Sequence, residues 1–66
     1  PMLSLDKQVN LTCIETDKLA TGKIVRIQGN RVDVALDQGG LLISLYMKKP
    51  GIYIGSQSGL EFVMKS

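Results

Sequence analysis

Along most of the chain apolar and polar residues alternate with a period of two, and small clusters of Gly, Asn, Asp and Pro interrupt the alternation every eight to twelve residues or so. This is the pattern of short strands joined by tight turns. Helical spacing persists nowhere. Six strands are predicted. The first covers residues 8–15, with Val9, Leu11 and Cys13 on one face and Asn10, Thr12 and Ile14 on the other. Residues 16–21 read as a connection, with room for one helical turn through Asp17, Lys18, Leu19 and Ala20.

The stretch KIVRIQGNRVDVAL, residues 23–36, reads as a hairpin closed by Gly29 and Asn30. A two-residue loop there sets Gln28 opposite Arg31, Ile27 opposite Val32, Arg26 opposite Asp33 and Val25 opposite Val34. Val25, Ile27, Val32 and Val34 then share the buried face, and Arg26, Gln28, Arg31 and Asp33 the wet one, as a half-buried antiparallel pair requires. Arg26 and Asp33 become a cross-strand pair of opposite charge. Arg31, beside the turn with no acid opposite, is the freer arginine.

Residues 37–40 supply the next turn, and 41–47 form a nearly continuous apolar run that suits a central strand covered on both faces. A turn over 48–51 contains Pro50 and Gly51. A strand over 52–54, a polar loop over 55–59 and a last strand over 60–64, with Leu60, Phe62 and Met64 on one face, complete the chain. Six strands of this size with short loops are expected to curl into an all-β antiparallel barrel, which leaves few edges open. The strand over 52–54 and the last strand are the edges through which a second copy would pair.

The 66 residues, 44% hydrophobic and 21% charged, fit one compact domain over residues 1–66. A chain this short buries only about 60% of its unfolded surface, so packing against a partner would add to a marginal stability. The net charge of +2 permits an anionic partner without requiring one, and the longest run of like charge is Lys48-Lys49. One cysteine and no histidine exclude an internal disulfide, which fits a cytoplasmic location. No apolar run approaches the roughly 18 residues of a membrane span and no signal pattern opens the chain, so no membrane partner is expected.

Chemistry is narrowed in the same way. Without histidine the Ser-His and Cys-His nucleophile pairs are impossible, and one cysteine cannot build a structural zinc site. Cys13 reads as a small core residue. Asp33 with Asp37, or Glu15 with Asp17, are the candidate carboxylate pairs, but they lie on turns or outward positions with no apolar setting to raise a pKa. The loop from Gly55 to Gly59 lacks the lysine and the following helix of a phosphate-binding loop and reads as a hairpin turn. An N-terminal proline amine can act as a base in some enzymes, yet Pro1 has no partner group in the sequence and reads as a remnant of processing or of an expression vector. No enzyme, metal or cofactor is expected.

The order of features in VNLTCIETDKLATGKIVRIQGNRVDVAL, residues 9–36, and in YIGSQSGLEFV, residues 53–63, resembles a PilZ-type barrel, the cyclic-di-GMP-responsive domain of bacteria. Ligand-binding members of that family carry an Arg-x-x-x-Arg stretch before the first strand and an Asp/Asn-x-Ser-x-x-Gly turn later. Here MLSLDKQ offers only Lys7, and RIQGNR lacks both the acid and the serine. The resemblance therefore implies a degenerate member that has lost the nucleotide and works through protein contacts. SH3-like and Sm-like barrels share the same strand pattern. The expected fold is thus a small six-stranded barrel, PilZ-like or SH3-like.

The expected function is a non-enzymatic binding module, an adaptor that engages another protein or a second copy of itself in a bacterial assembly. The contact surface expected for it combines Arg31, Tyr46, Lys48, Lys49 and Tyr53, the aromatics supplying buried area and the bases orientation. Tyrosines in so small a barrel also serve to cover the ends of its core. A nucleic-acid-binding barrel is the alternative, using the same residues with Lys18 and Lys23 along a groove.

Overall fold

The computed structural model describes residues 3–66, leaving Pro1, and with it the terminal amine, outside the described residues. Six strands occur in chain order: β1 (Gln8–Cys13), β2 (Leu19–Gln28), β3 (Arg31–Leu36), β4 (Leu42–Lys49), β5 (Ile52–Gln57) and β6 (Leu60–Lys65). Each pairs antiparallel with its neighbour and β6 returns to β1, so the sheet closes into a barrel. No helix forms among the described residues; Leu19 and Ala20, assigned above to a connection, already belong to β2, opposite Thr12 and Leu11. Neither β5 nor β6 is an open edge, because β5 is held between β4 and β6, and β6 between β5 and β1.

Alternation decides what the barrel encloses. Leu11, Ile24, Val32, Val34, Ile43, Leu45 and Met64 point inward and are fully buried, with Cys13 and Phe62 beside them. Each of these large aliphatic side chains contributes about 1.5–3 kcal/mol on leaving water. Leu3, Val9, Leu36 and Tyr53 pack against this cluster and close its ends.

Turn chemistry follows the backbone each turn needs. In the β2–β3 loop only Gly29 takes a positive φ, as the first position of a II′ turn demands, whereas Ser58 and Gly59 both do so between β5 and β6, the I′ pattern. Between β4 and β5, Pro50 is followed by Gly51 at φ 84°, the pattern of a type II turn. Gly55 is required for a different reason: a Cβ there would collide with the Ser44 carbonyl oxygen, where β5 folds across β4.

The hairpin register is as the loop predicts for Gln28–Arg31, Ile27–Val32 and Arg26–Asp33, and then shifts, so that Ile24 rather than Val25 faces Val34. Val25 is the extra residue of a β-bulge. The shift lies where residues 6 and 7 take over the β2 ladder: the Asp6 N–H donates to the Ile24 carbonyl (2.7 Å) and the Ile24 N–H to the Lys7 carbonyl (3.0 Å). The bulge turns Ile24 inward and leaves Val25 47% exposed, while Ile27, at the barrel mouth, remains 41% exposed. Asp33, expected in water, is only 3% exposed. The 41–47 run is covered on one face only, since Leu42 and Tyr46 point outward between the buried Ile43 and Leu45. Lys48 and Lys49 extend β4 rather than forming the turn, with a second register shift between Met47 and Lys49.

Candidate functional site

The outward face of β3 and β4 is built from one cross-strand row. Arg31, the first residue of β3, lies opposite Tyr46 of β4; Tyr46 lies opposite Ile54 of β5, and Ile54 opposite Val63 of β6. Tyr46 is 54% exposed. Ser44, Gly55, Ser56 and Glu61 line a shallow groove beside the tyrosine.

Arg31 is not free, which corrects the sequence reading. Its Nε donates to Asp33 Oδ1 (3.0 Å) and its Nη2 to Asp33 Oδ2 (3.1 Å), the one ion pair among the described residues. Residues two apart on a strand share a face, so this pairing runs along β3 and not across to Arg26. Arg26 instead donates from Nη2 to Gln28 Oε1 (2.8 Å) and meets no carboxylate. The hydrogen bonds from Arg31 hold the Asp33 carboxyl below its ordinary pKa against the opposing effect of burial, with Ser44 and the Arg26 charge adding to the lowering. Asp33 in turn raises the Arg31 pKa. Arg31 is thus fixed beside Tyr46, with its side chain 39% exposed.

Of the residues expected to form a contact surface, Arg31, Tyr46 and Lys49 share the outer wall, and Lys48 stands at the register shift beside them. Tyr53 does not join them. It pairs with Met47 and Met64 and packs against the core, closing the barrel from inside. Lys18 precedes β2 at the opposite end of the barrel, so no single groove runs from it to Lys48.

Charge separates along the barrel. Arg26, Arg31, Lys48, Lys49 and Lys65 sit near the turns at 29–30 and 50–51, which are tied in by Met47 N–H to the Asn30 carbonyl (2.8 Å) and Ser66 N–H to the Gly51 carbonyl (2.9 Å). Glu15, Asp17, Asp37 and Glu61 gather at the other end, accompanied by Lys18 and by Lys23, whose charge acts on Asp37. There Asp37 Oδ2 accepts from Thr21 Oγ1 (2.8 Å) and from Gln8 Nε2 (2.6 Å), which lowers its pKa. Glu15 Oε1 accepts from the Glu61 N–H (3.0 Å), with the same consequence, and reinforces the seam where β1 and β6 share only two residue pairs.

Sequence reading missed two things here. Arg26 is the arginine without a carboxylate, and the acidic end carries exposed leucines, with Leu19 at 73%. Only the second was legible, as leucines adjoining turns. No group of three or more His, Cys, Asp or Glu side chains that could hold a metal ion occurs among the described residues, and Cys13 is buried as a free thiol.

The fold and its surface define a closed six-stranded barrel with an aromatic and basic outer wall. Comparison with protein-family models, with curated proteins and with solved structures finds no match to this chain.

Proposed function

We propose that this barrel is a non-enzymatic binding module that docks onto another protein through the wall centred on Tyr46, in the manner of a degenerate, cytoplasmic PilZ-like domain without its nucleotide. The observation that carries this reading is Tyr46 itself, an exposed aromatic on a rigid strand, between an arginine held in place by Asp33 and the apolar Ile54. Aromatic and arginine anchors with apolar neighbours supply most of the energy of protein interfaces. The absence of histidine from the sequence and the structural use of Asp33, Asp37 and Glu15 weigh against catalysis.

The test is capture from a nuclease-treated lysate of the source cell on the immobilised chain. Proteins retained by the wild type are expected to fall about tenfold or more with Tyr46→Ala, the loss typical of a central aromatic anchor. Equal retention by both would sink the reading.

The basic cluster at one end favours a second reading, binding of a single-stranded nucleic acid. Fluorescence anisotropy with a mixed-sequence oligonucleotide separates the two: affinity that drops steeply as salt rises supports nucleic acid.

A further inference from the structure

We propose that copies of this chain associate end to end, with the basic end of one barrel against the acidic, leucine-bearing end of the next. This rests on the protein-contact reading and names one partner for it, a second copy. Closure of the barrel narrows the ordinary route to self-association, because every strand already has two neighbours, with only the short β1–β6 seam of two residue pairs, and the two ends remain.

The ends match in composition and oppose in charge. Around the 29–30 and 50–51 turns the exposed apolar residues are Val25 and Ile27, rimmed by Arg26, Lys48 and Lys49, with Tyr46 on the adjoining wall. Around the opposite connections they are Ile14, Leu19, Leu41 and Leu42, rimmed by Glu15, Asp37 and Glu61. An apolar centre with a polar rim is the anatomy of a protein interface. Contact between two like ends would bring clusters of one sign together, whereas contact between unlike ends pairs them. Such a contact uses different patches on the two partners, so it repeats along a chain of copies and does not stop at two.

Sedimentation velocity over a wide range of protein concentration tests this. The mass is expected to climb steadily from 7.2 kDa without a plateau at twice that value, and the association constant to fall about tenfold or more between low and high salt. Glu61→Lys takes the rim of one end from three negative charges to a net of one, and Lys49→Glu takes the rim of the other from three positive charges to a net of one. Neither carboxylate nor ammonium makes a hydrogen bond or ion pair in the fold among the described residues, and the Glu61 N–H held by Glu15 is retained. Each variant alone should associate about tenfold or more weaker than the wild type, and an equimolar mixture should regain the wild-type strength for one contact, because the unaltered basic end of Glu61→Lys then meets the unaltered acidic end of Lys49→Glu.

A wild-type chain that stays monomeric, a plateau at the dimer, or single variants that associate as well as the wild type would overturn the proposal. A monomer that still captures a Tyr46-dependent protein overturns the end-to-end contact alone. Loss of that capture is what removes the docking reading beneath it.

Discussion

At the end of the barrel with the 29–30 and 50–51 turns, Lys48, Lys49 and Lys65 stand outside the hydrogen-bond framework, and the turns are held by backbone bonds to Asn30 and Gly51. At the other end two carboxylates, Asp37 and Glu15, are part of that framework, and those of Asp17 and Glu61 are not. Asp37 joins β1 to β2 through Gln8 and Thr21, and its own N–H donates to the Thr21 carbonyl (2.9 Å); Glu15 joins the connection after β1 to β6. Arg31 is the exception at the basic end, since Asp33 has drawn it into the fold. The difference teaches that formal charge does not indicate availability. Asp37 and Glu15 close the barrel, whereas Lys48, Lys49 and Lys65 are left for a partner.

The largest effect falls on the wall that joins the two ends. Val63 pairs with Ile54 on one side and Thr12 on the other, so Val63→Pro removes a donor from a strand with no free edge and presses a ring against its neighbours. A domain of this size has a stability of only about 3–10 kcal/mol in total. The variant is expected to lose its β-sheet circular dichroism at room temperature; a cooperative unfolding transition like that of the wild type would count against β6 as an interior strand.

Next in size is the acidic end. Asp37→Ala leaves Thr21 and Gln8 without their acceptor and should lower the thermal midpoint by several degrees, read by differential scanning calorimetry. Acid titration probes the same contacts without mutation. Asp33, Asp37 and Glu15 all have pKa values depressed in the folded state, by hydrogen bonds from Arg31, from Thr21 and from the Glu61 N–H respectively. A depressed carboxylate contributes stability that is present above its unfolded pKa, about 4, and is lost as pH falls through the lower folded value. Stability should therefore hold from neutral pH down to about 5 and decline below 4, and the decline should be shallower in Asp37→Ala.

How much of this was legible in the sequence depends on the interaction. Strand number and the Gly29-Asn30 hairpin were readable because period-two alternation and turn residues are local signals. The bulge at Val25 was not, since it is imposed by residues 6 and 7 binding Ile24 from a distant part of the chain, and nothing in alternation marks an inserted residue. The same shift explains why Val25 was assigned to the core in place of Ile24. Among the candidate contact residues, Tyr46 was readable as outward because it alternates with Leu45 and Met47, whereas Lys49, three residues on, reaches the same wall only through the second shift, between Met47 and Lys49, and Tyr53 faces the core as the partner of Met47. Arg31 with Asp33 was readable in principle, as two charges two apart on one strand face, but the cross-strand neighbour Arg26 competes for the same acid, and only geometry shows which arginine reaches it.

Thermal unfolding of two multiple variants, side by side with the wild type, tests most directly whether acids serve the fold and bases serve the surface. Replacing Arg26, Lys48 and Lys49 together by alanine should move the midpoint by about 3 °C or less, because such exposed side chains contribute little to folding. Replacing Glu15 and Asp37 together by alanine should lower it well beyond that. A base-depleted variant less stable than the acid-depleted one would contradict the account, since the basic end would then be holding the barrel together and would not be left over for a partner.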